Sequence, residues 1–127
     1  MIRAVAIDHL VLTVSDVDET CRFYSRVLGM EPITFSSGRR ALRFGSQKLN
    51  LHAAGAEIEP HAAMPVPGSA DLCLLTRAPS ADVVAHLEAC GVEVEQGPVE
   101  REGAAGLLSS VYFRDPDGNL VEVGTPP

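Results

Sequence analysis

Two stretches of this chain repeat the same order of elements, and this repeat restricts the possible fold more than any other feature. Each half begins with a leucine- and valine-rich run, continues with a helical pattern closed by glycine, and ends with three short β-like runs. Gly29 and Gly91 lie 62 positions apart, and so do His9 and Asp71. The sequence predicts an α+β fold of two βαβββ modules related by pseudo-twofold symmetry, with mixed sheets curled around a central cup.

The element boundaries follow from apolar periodicity and turn residues. The first module is expected to hold a strand at 4–14, a helix at 16–28 begun by a capping-box-like Ser15-x-x-Asp18, and β-like runs at 32–36, 40–44 and 48–53. The second is expected to hold a strand at 72–76, a helix at 80–90, and β-like runs at 92–95, 109–114 and 119–123. Residues 115–118, Asp-Pro-Asp-Gly, predict a turn before the last strand.

The domain prediction is one domain over 1–127, with module 1 at 4–53, a linker at 54–69 and module 2 at 70–124. The linker is rich in Ala, Pro and Gly. Compared at His52 and Glu122, the last strands of the modules are 70 positions apart, so the second module is expected to carry about eight extra residues. Their expected place is a loop at 97–106.

Composition limits the classes of partner. The formal net charge of −7 opposes binding to phosphate backbones and anionic membrane surfaces, so neither nucleic acid nor a membrane is an expected partner. The three cysteines have no C-x-x-C spacing, and Arg3, Asp8 and His9 interrupt the apolar N-terminal run. A cytoplasmic protein is expected, as a homodimer in which the linker would permit exchange of modules.

Strand alternation places His9 and His52 on the concave side of the first module, and Asp71 and Glu122 on that of the second. Imidazole and carboxylate groups on strands suit a divalent metal such as Fe, Mn, Ni or Zn. We therefore expect the modules to share one metal site. Two histidines and one carboxylate would leave positions open for water or a chelating substrate.

Two segments carry a resemblance to a known superfamily. IDHLVLTVSDVDETCRFYSRVLGM resembles the first strand and helix of vicinal oxygen chelate proteins (glyoxalase, bleomycin resistance, extradiol dioxygenase), and YFRDPDGNLVEV resembles their final hairpin. ALRFGSQKLNLH and PGSADLCLL are most similar to small glyoxalase-domain proteins of poorly defined function. The resemblance implies His9, His52 and Glu122 as metal ligands. Many metal-dependent members have His where this chain has Asp71, which leaves Asp71 as a fourth ligand or a group that orients a ligand.

The leading hypothesis is a metal-dependent lyase or isomerase of the lactoylglutathione lyase type, acting on a small substrate with adjacent oxygens, in which Glu122 doubles as ligand and base. Arg40 and Arg43 flank a strand beside the expected site and could hold a substrate carboxylate, and Tyr112 could supply a phenolic donor. One alternative is an extradiol-type dioxygenase, for which His61 would have to act as acid and base. The other is a non-catalytic, bleomycin-resistance-like protein that binds a small molecule.

Overall fold

The computed structural model describes residues 1–127 as two compact units, Met1–Pro67 and Gly68–Pro127. The first unit contains β1 (His9–Val14), α1 (Val17–Leu28), β2 (Glu31–Phe35), β3 (Arg39–Phe44) and β4 (Gln47–Ala53). The second contains β5 (Asp71–Leu75), α2 (Ser80–Ala89), β6 (Gln96–Glu102), β7 (Leu107–Arg114) and β8 (Leu120–Thr125). The predicted α+β class and the two βαβββ modules are confirmed.

Each unit forms one four-stranded mixed sheet, and the strand order is the same in both. The first sheet runs β1-β4-β3-β2 and the second β5-β8-β7-β6. In each sheet the first and last strands of the unit pair in parallel, whereas the other neighbours are antiparallel. The repeat read from the sequence is therefore a repeat of sheet topology. Neither helix is long and apolar enough to cross a membrane.

The core of each unit lies where the helix meets its sheet. In the first unit the apolar side of α1 packs on alternate residues of the strands, and in the second α2 does the same. The buried side chains at these contacts include Leu12, Val14, Tyr24, Leu42, Leu49, Val83, Leu87, Val111, Phe113, Val121 and Val123. Most of these side chains are aliphatic, in keeping with the low aromatic content, and each core holds one aromatic ring, Tyr24 or Phe113.

The ends of α1 are fixed by short-range hydrogen bonds. The predicted start at Ser15 is wrong by one residue, because the side chain of Asp16 accepts the backbone N–H of Glu19 at 2.9 Å. Gly29 ends the helix in the left-handed conformation, at φ 66°, and its N–H donates to the carbonyl oxygen of Ser25. The helix therefore closes at the predicted glycine.

The first strand is shorter than predicted. It begins at His9 rather than at residue 4, because its partner β4 begins at Gln47 and His9 pairs with Lys48. The side chain of Gln47 donates to the carbonyl oxygen of Ile7 at 2.7 Å, and residues 1–8 are exposed. An apolar run without a pairing partner does not extend the strand.

The second unit departs from the prediction after α2. Residues 92–95 are not a strand, and β6 occupies most of the stretch expected to be a loop at 97–106. β6 and β7 form a hairpin, with a register shift between Gln96 and Val99. Gly97 lies at this shift with φ 110°, and a Cβ there would collide with the carbonyl oxygen of Ser110. The extra residues lengthen a hairpin instead of forming a loop.

The predicted turn at 115–118 is confirmed and is held by a buried side chain. The carboxylate of Asp115 accepts the N–H of Asp117 and that of Asn119, at 3.0 and 2.9 Å, and the side-chain amide of Asn119 at 2.8 Å. The side-chain oxygen of Asn119 accepts the N–H of Ala70 at 2.9 Å. The turn therefore also fixes the residue that leads into β5.

Candidate functional site

Each sheet has one face covered by its helix and an opposite face, here called the helix-free face. Arg40 identifies the covered face of the first sheet, since its guanidinium donates to Asp18 of α1 at 3.0 Å. Alternation then puts Arg39, Ala41 and Arg43 on the helix-free face. Register adds the neighbouring strands to this face, with His9, Val11 and Thr13 beside Lys48, Asn50 and His52. Arg40 lies away from this face, contrary to the expectation that it flanks the site with Arg43.

The strand register corrects the equivalence between the two halves. His9 pairs with Lys48 and Asp71 pairs with Leu120, while Val11 pairs with Asn50 and Cys73 with Glu122. The offset thus grows from 62 positions at the first strands (9 to 71) to 72 at the last strands (50 to 122), so ten extra residues are present rather than eight. The residue equivalent to Glu122 is Asn50, and His52 corresponds to Gly124. The assignment of His52 as the counterpart of Glu122 was wrong.

Four equivalent positions on the helix-free faces therefore carry donor side chains. His9 and Asp71 occupy the same position in the first strands of the units, β1 and β5. Asn50 and Glu122 occupy the same position in the last strands, β4 and β8. Donor side chains recur at the same register of both sheets, and Asn50 among them is buried with an unpaired oxygen, which costs free energy unless a partner binds, so these positions indicate a binding surface. The equivalence thus adds Asn50 to the candidate residues.

His52 and Asn50 are the buried polar side chains of the first helix-free face. Each is 5% exposed, and neither the Nε2 of His52 nor the Oδ1 of Asn50 has a hydrogen-bond partner. Burial lowers the pKa of His52 below its ordinary value, and the positive charges of Arg39 and His61 lower it further. His52 is therefore neutral at pH 7.

Two cations converge on one aromatic ring of the same face. The Nζ of Lys48 lies 3.6 Å from the ring centroid of Phe35, and the Cζ of Arg39 lies 5.2 Å from it. Neither cation has a carboxylate within ion-pair distance. Arg39 stands opposite His52 in the register that pairs Arg40 with Leu51.

His9 lies at the far end of this face. Its Nδ1 is 2.7 Å from the carboxylate of the preceding Asp8, and its side chain is 43% exposed. Along β4, His52 is four residues beyond the partner of His9, which corresponds to roughly 13 Å along the sheet. Within the first unit, His9 and His52 therefore lie at opposite ends of the helix-free face.

In the second unit the carboxylate of Glu122 is fixed by a buried hydroxyl. Ser110 is fully buried, and its Oγ donates to the Oε2 of Glu122 at 2.7 Å. Cys73 pairs with Glu122 across the strands. Desolvation of the sulfur, followed by the negative charge of Glu122, raises the pKa of the Cys73 thiol to about 11, so this thiol is protonated at neutral pH.

Arg43 and Tyr112, the remaining predicted residues, have partners of their own. The guanidinium of Arg43 donates to Glu31 at 3.0 Å, and that of Arg114 donates to Glu95 at 2.9 and 3.1 Å. The hydroxyl of Tyr112 accepts from Arg101 at 3.0 Å. Arg43 and Arg114 occupy the same position of the repeat, so this ion pair is a feature of the fold.

The donor side chains on the helix-free faces are of the kind that binds a divalent metal, but they do not cluster within one unit. Neither unit contains a group of three or more His, Cys, Asp or Glu side chains that could hold an ion. The chemistry of the equivalent positions nevertheless fits a divalent metal, since the imidazole of His9, the carboxylates of Asp71 and Glu122 and the amide oxygen of Asn50 are donors that such ions accept. The predicted set of His9, His52 and Glu122 draws on both units and stays a prediction.

Arg39, Lys48 and Ser110 were not among the predicted site residues. Counting alternation along 39–44 would have separated Arg39 from Arg40, because the leucine at 42 belongs to the core. The hydrogen bond of Ser110 to Glu122 depends on strand register, for which the sequence carries no direct signal.

The fold and the donor positions on its sheets define a glyoxalase-type protein. The sequence profile of the Glyoxalase/Bleomycin resistance protein/Dioxygenase superfamily matches residues 6–123, and the chain belongs to this superfamily. The chain is 56% identical over 117 residues to virulence protein STM3117 of Salmonella typhimurium, covering 92% of this chain and 81% of that protein. The crystal structure of STM3117 superposes with a TM-score of 0.97 at 52% identity, covering 99% and 100% of the two chains.

Two further relatives extend the comparison. A glyoxalase domain-containing protein, RDO1, of Mycosarcoma maydis is 51% identical over 120 residues, covering 94% of this chain and 68% of that protein. The crystal structure of lactoylglutathione lyase from Agrobacterium tumefaciens has a TM-score of 0.73 at 28% identity, covering 96% of this chain and 94% of that one.

Proposed function

We propose that this chain is a divalent-metal-dependent lyase or isomerase that acts on a small substrate with adjacent oxygens, and that His9 and Glu122 are two of its metal ligands. The observation that carries the proposal is the equivalence of His9 with Asp71 and of Asn50 with Glu122 in the strand register. Membership of the superfamily and the 28% identity to a lactoylglutathione lyase support it.

The third ligand is proposed to be Asp71. It occupies the position equivalent to His9, whereas His52 occupies the position of Gly124. Asp71 is exposed, and the Nε2 of His52 is buried. The resemblance implies His52 as the third ligand instead. The metal measurement below distinguishes Asp71 from His52.

The residues of the second unit suit the handling of a proton at Glu122. When bound, the metal supplies a Lewis acid that polarises adjacent substrate oxygens. The hydrogen bond from Ser110 occupies one carboxylate oxygen of Glu122 and orients the other for a second contact. The thiol of Cys73, with its raised pKa, does not supply a competing thiolate at neutral pH.

A non-catalytic binding protein is the second candidate. The observation that favours it is that neither unit by itself assembles three metal-binding side chains. The dioxygenase alternative gains no such support. Its acid–base residue would be His61, whose Nδ1 lies 2.8 Å from the carbonyl oxygen of Ala62 and whose Nε2 lies 3.5 Å from Glu59. His61 is thus engaged by its own segment.

The deciding measurement is the metal content of tag-free protein purified without chelators. We expect about one divalent ion per chain. His9→Ala, Asp71→Ala and Glu122→Ala should each lose it, while His52→Ala and the exposed control Arg22→Ala should keep it. Metal-loaded protein should then isomerise thiol adducts of α-ketoaldehydes.

Two results would change this assignment. Loss of the metal in His52→Ala but not in Asp71→Ala would return His52 to the ligand set. A wild-type protein that neither carries Fe, Mn, Ni or Zn nor takes them up on reloading would leave the binding protein as the function.

A further inference from the structure

The helix-free face of the first unit has two kinds of group that lack an interaction partner: cations without a carboxylate, and buried polar atoms without a hydrogen bond. Arg39 and Lys48 are partly exposed cations without a carboxylate partner. Asn50 and His52 are 95% removed from solvent, and each has a polar atom without a hydrogen-bond partner. Buried polar atoms nearly always have a hydrogen-bond partner in folded proteins. Two such atoms without a partner on one face therefore point to a ligand or water that hydrogen-bonds to them.

The two cations favour an anionic group. Both approach the ring of Phe35, at 3.6 Å for Lys48 and 5.2 Å for Arg39, and the ring face offsets part of their mutual repulsion. An anion between them would offset the rest, and a carboxylate can accept from the guanidinium and the ammonium at once.

The buried pair favours a hydroxyl group on the same ligand. The free Oδ1 of Asn50 is an acceptor and requires a donor, which a bare carboxylate lacks. The unpaired Nε2 of His52 can either donate or accept, depending on the tautomer of the imidazole. An ammonium group would also donate to Asn50, but Arg39 and Lys48 would repel it. A hydroxyl satisfies both buried atoms without added charge.

We propose that this face binds a small hydroxy acid, with its carboxylate on Arg39 and Lys48 and its hydroxyl on Asn50 and His52. Asn50 and His52 are two residues apart on β4, and Arg39 stands opposite His52, so the contacts fall within the length of such a molecule. The part-exposed cations border solvent, and the amide and imidazole lie deeper. The inference depends on first-unit residues alone and does not require the proposed metal.

The test is a titration of chelator-treated protein with glycolate, acetate and sulfate, followed by NMR at the side-chain signals of Asn50 and Arg39. Glycolate should shift both sets of signals. Acetate and sulfate lack the hydroxyl and should bind at least about tenfold more weakly. Arg39→Gln and Lys48→Gln should each weaken glycolate binding at least about tenfold, and Asn50→Leu should abolish the preference for glycolate over acetate.

Arg22→Gln is the matched control, since it removes the same charge from α1 on the other side of the sheet and should leave glycolate binding unchanged. Well-dispersed amide spectra will establish that each variant is folded. Equal binding of acetate and glycolate, or unchanged binding in Arg39→Gln, would overturn the proposal. Glycolate binding that disappears with the chelator and in Glu122→Ala would also overturn it, while supporting the metal site.

Discussion

The helix-free faces of the two units have the same backbone register and different chemistry. Where the first unit has Asn50, the second has Glu122, and where the first has His52, the second has Gly124. Ser110, at the position of Arg39, donates to Glu122, so the second unit supplies its own partner for its inward polar group. The first unit leaves its polar atoms unpaired.

This difference distinguishes polar groups that stabilise the fold from polar groups that are available to bind a ligand. A polar group that is already paired contributes to stability, because breaking the pair strands its partner. An unpaired buried group reduces stability in the free protein and gains its partner on binding. The same position of the repeat can therefore serve either purpose, and side-chain hydrogen bonding indicates which.

The largest difference in stability between the two units is expected at the turn before the last strand of each unit. Asn119→Ala would leave the buried Oδ2 of Asp115 and the N–H of Ala70 without the hydrogen bonds of the Asn119 side chain, and it should lower the free energy of unfolding by about 3 kcal/mol. The first unit makes the same connection with Gly45 and Ser46, and the exposed Ser46→Ala should cost less than about 0.5 kcal/mol. Urea unfolding compares the two, and equal losses would contradict this account of the turn.

A smaller effect depends on His52, whose position in the second unit is taken by Gly124. The pKa of His52 is lower in the folded state than in the unfolded chain, so below about pH 6.5 the unfolded state binds more protons. Stability should therefore fall as the pH falls through this range, by at most about 1.4 kcal/mol per pH unit from this group.

Urea unfolding at pH 7.5 and pH 5.5 tests this contribution. His52→Gln should lose less stability on acidification than the wild type does. His86→Gln, which removes an exposed histidine from α2, is the control variant. An unchanged dependence in His52→Gln would mean that burial of His52 does not couple its protonation to folding.

The sequence predicted the repeated architecture because glycines, turn residues and apolar periodicity are local signals. It placed the helices, the helix-closing Gly29 and the turn at 115–118. It misplaced the start of β1 and the whole of β6, since a strand begins where its partner does and the hairpin extension has no apolar alternation to mark it. These boundaries are set by pairing between distant segments.

The candidate site was predictable to the same extent. His9, Asp71 and Glu122 follow from alternation along single strands, and the strand register places them on the helix-free faces, while their role as ligands stays a prediction. The equivalence of His52 with Glu122 failed because it assumed the register of β4 relative to β1. Arg39 and Ser110 were missed since their roles arise from side chains on other strands.

The smallest difference in stability is expected at the arginine–glutamate ion pair that each unit has at the same position of the repeat. Arg114 contacts both carboxylate oxygens of Glu95 and also donates to the carbonyl oxygen of Gly118 at 3.2 Å, whereas Arg43 makes one contact with Glu31. All of these side chains are about half exposed, so solvent screens both pairs. Arg114→Gln should lower the free energy of unfolding by about 0.5 to 1 kcal/mol and Arg43→Gln by less than about 0.5 kcal/mol, as measured by urea unfolding at low and high salt. A larger loss in Arg43→Gln would contradict this order, and a loss of ligand binding in Arg43→Gln without a loss of stability would restore the substrate role predicted for it.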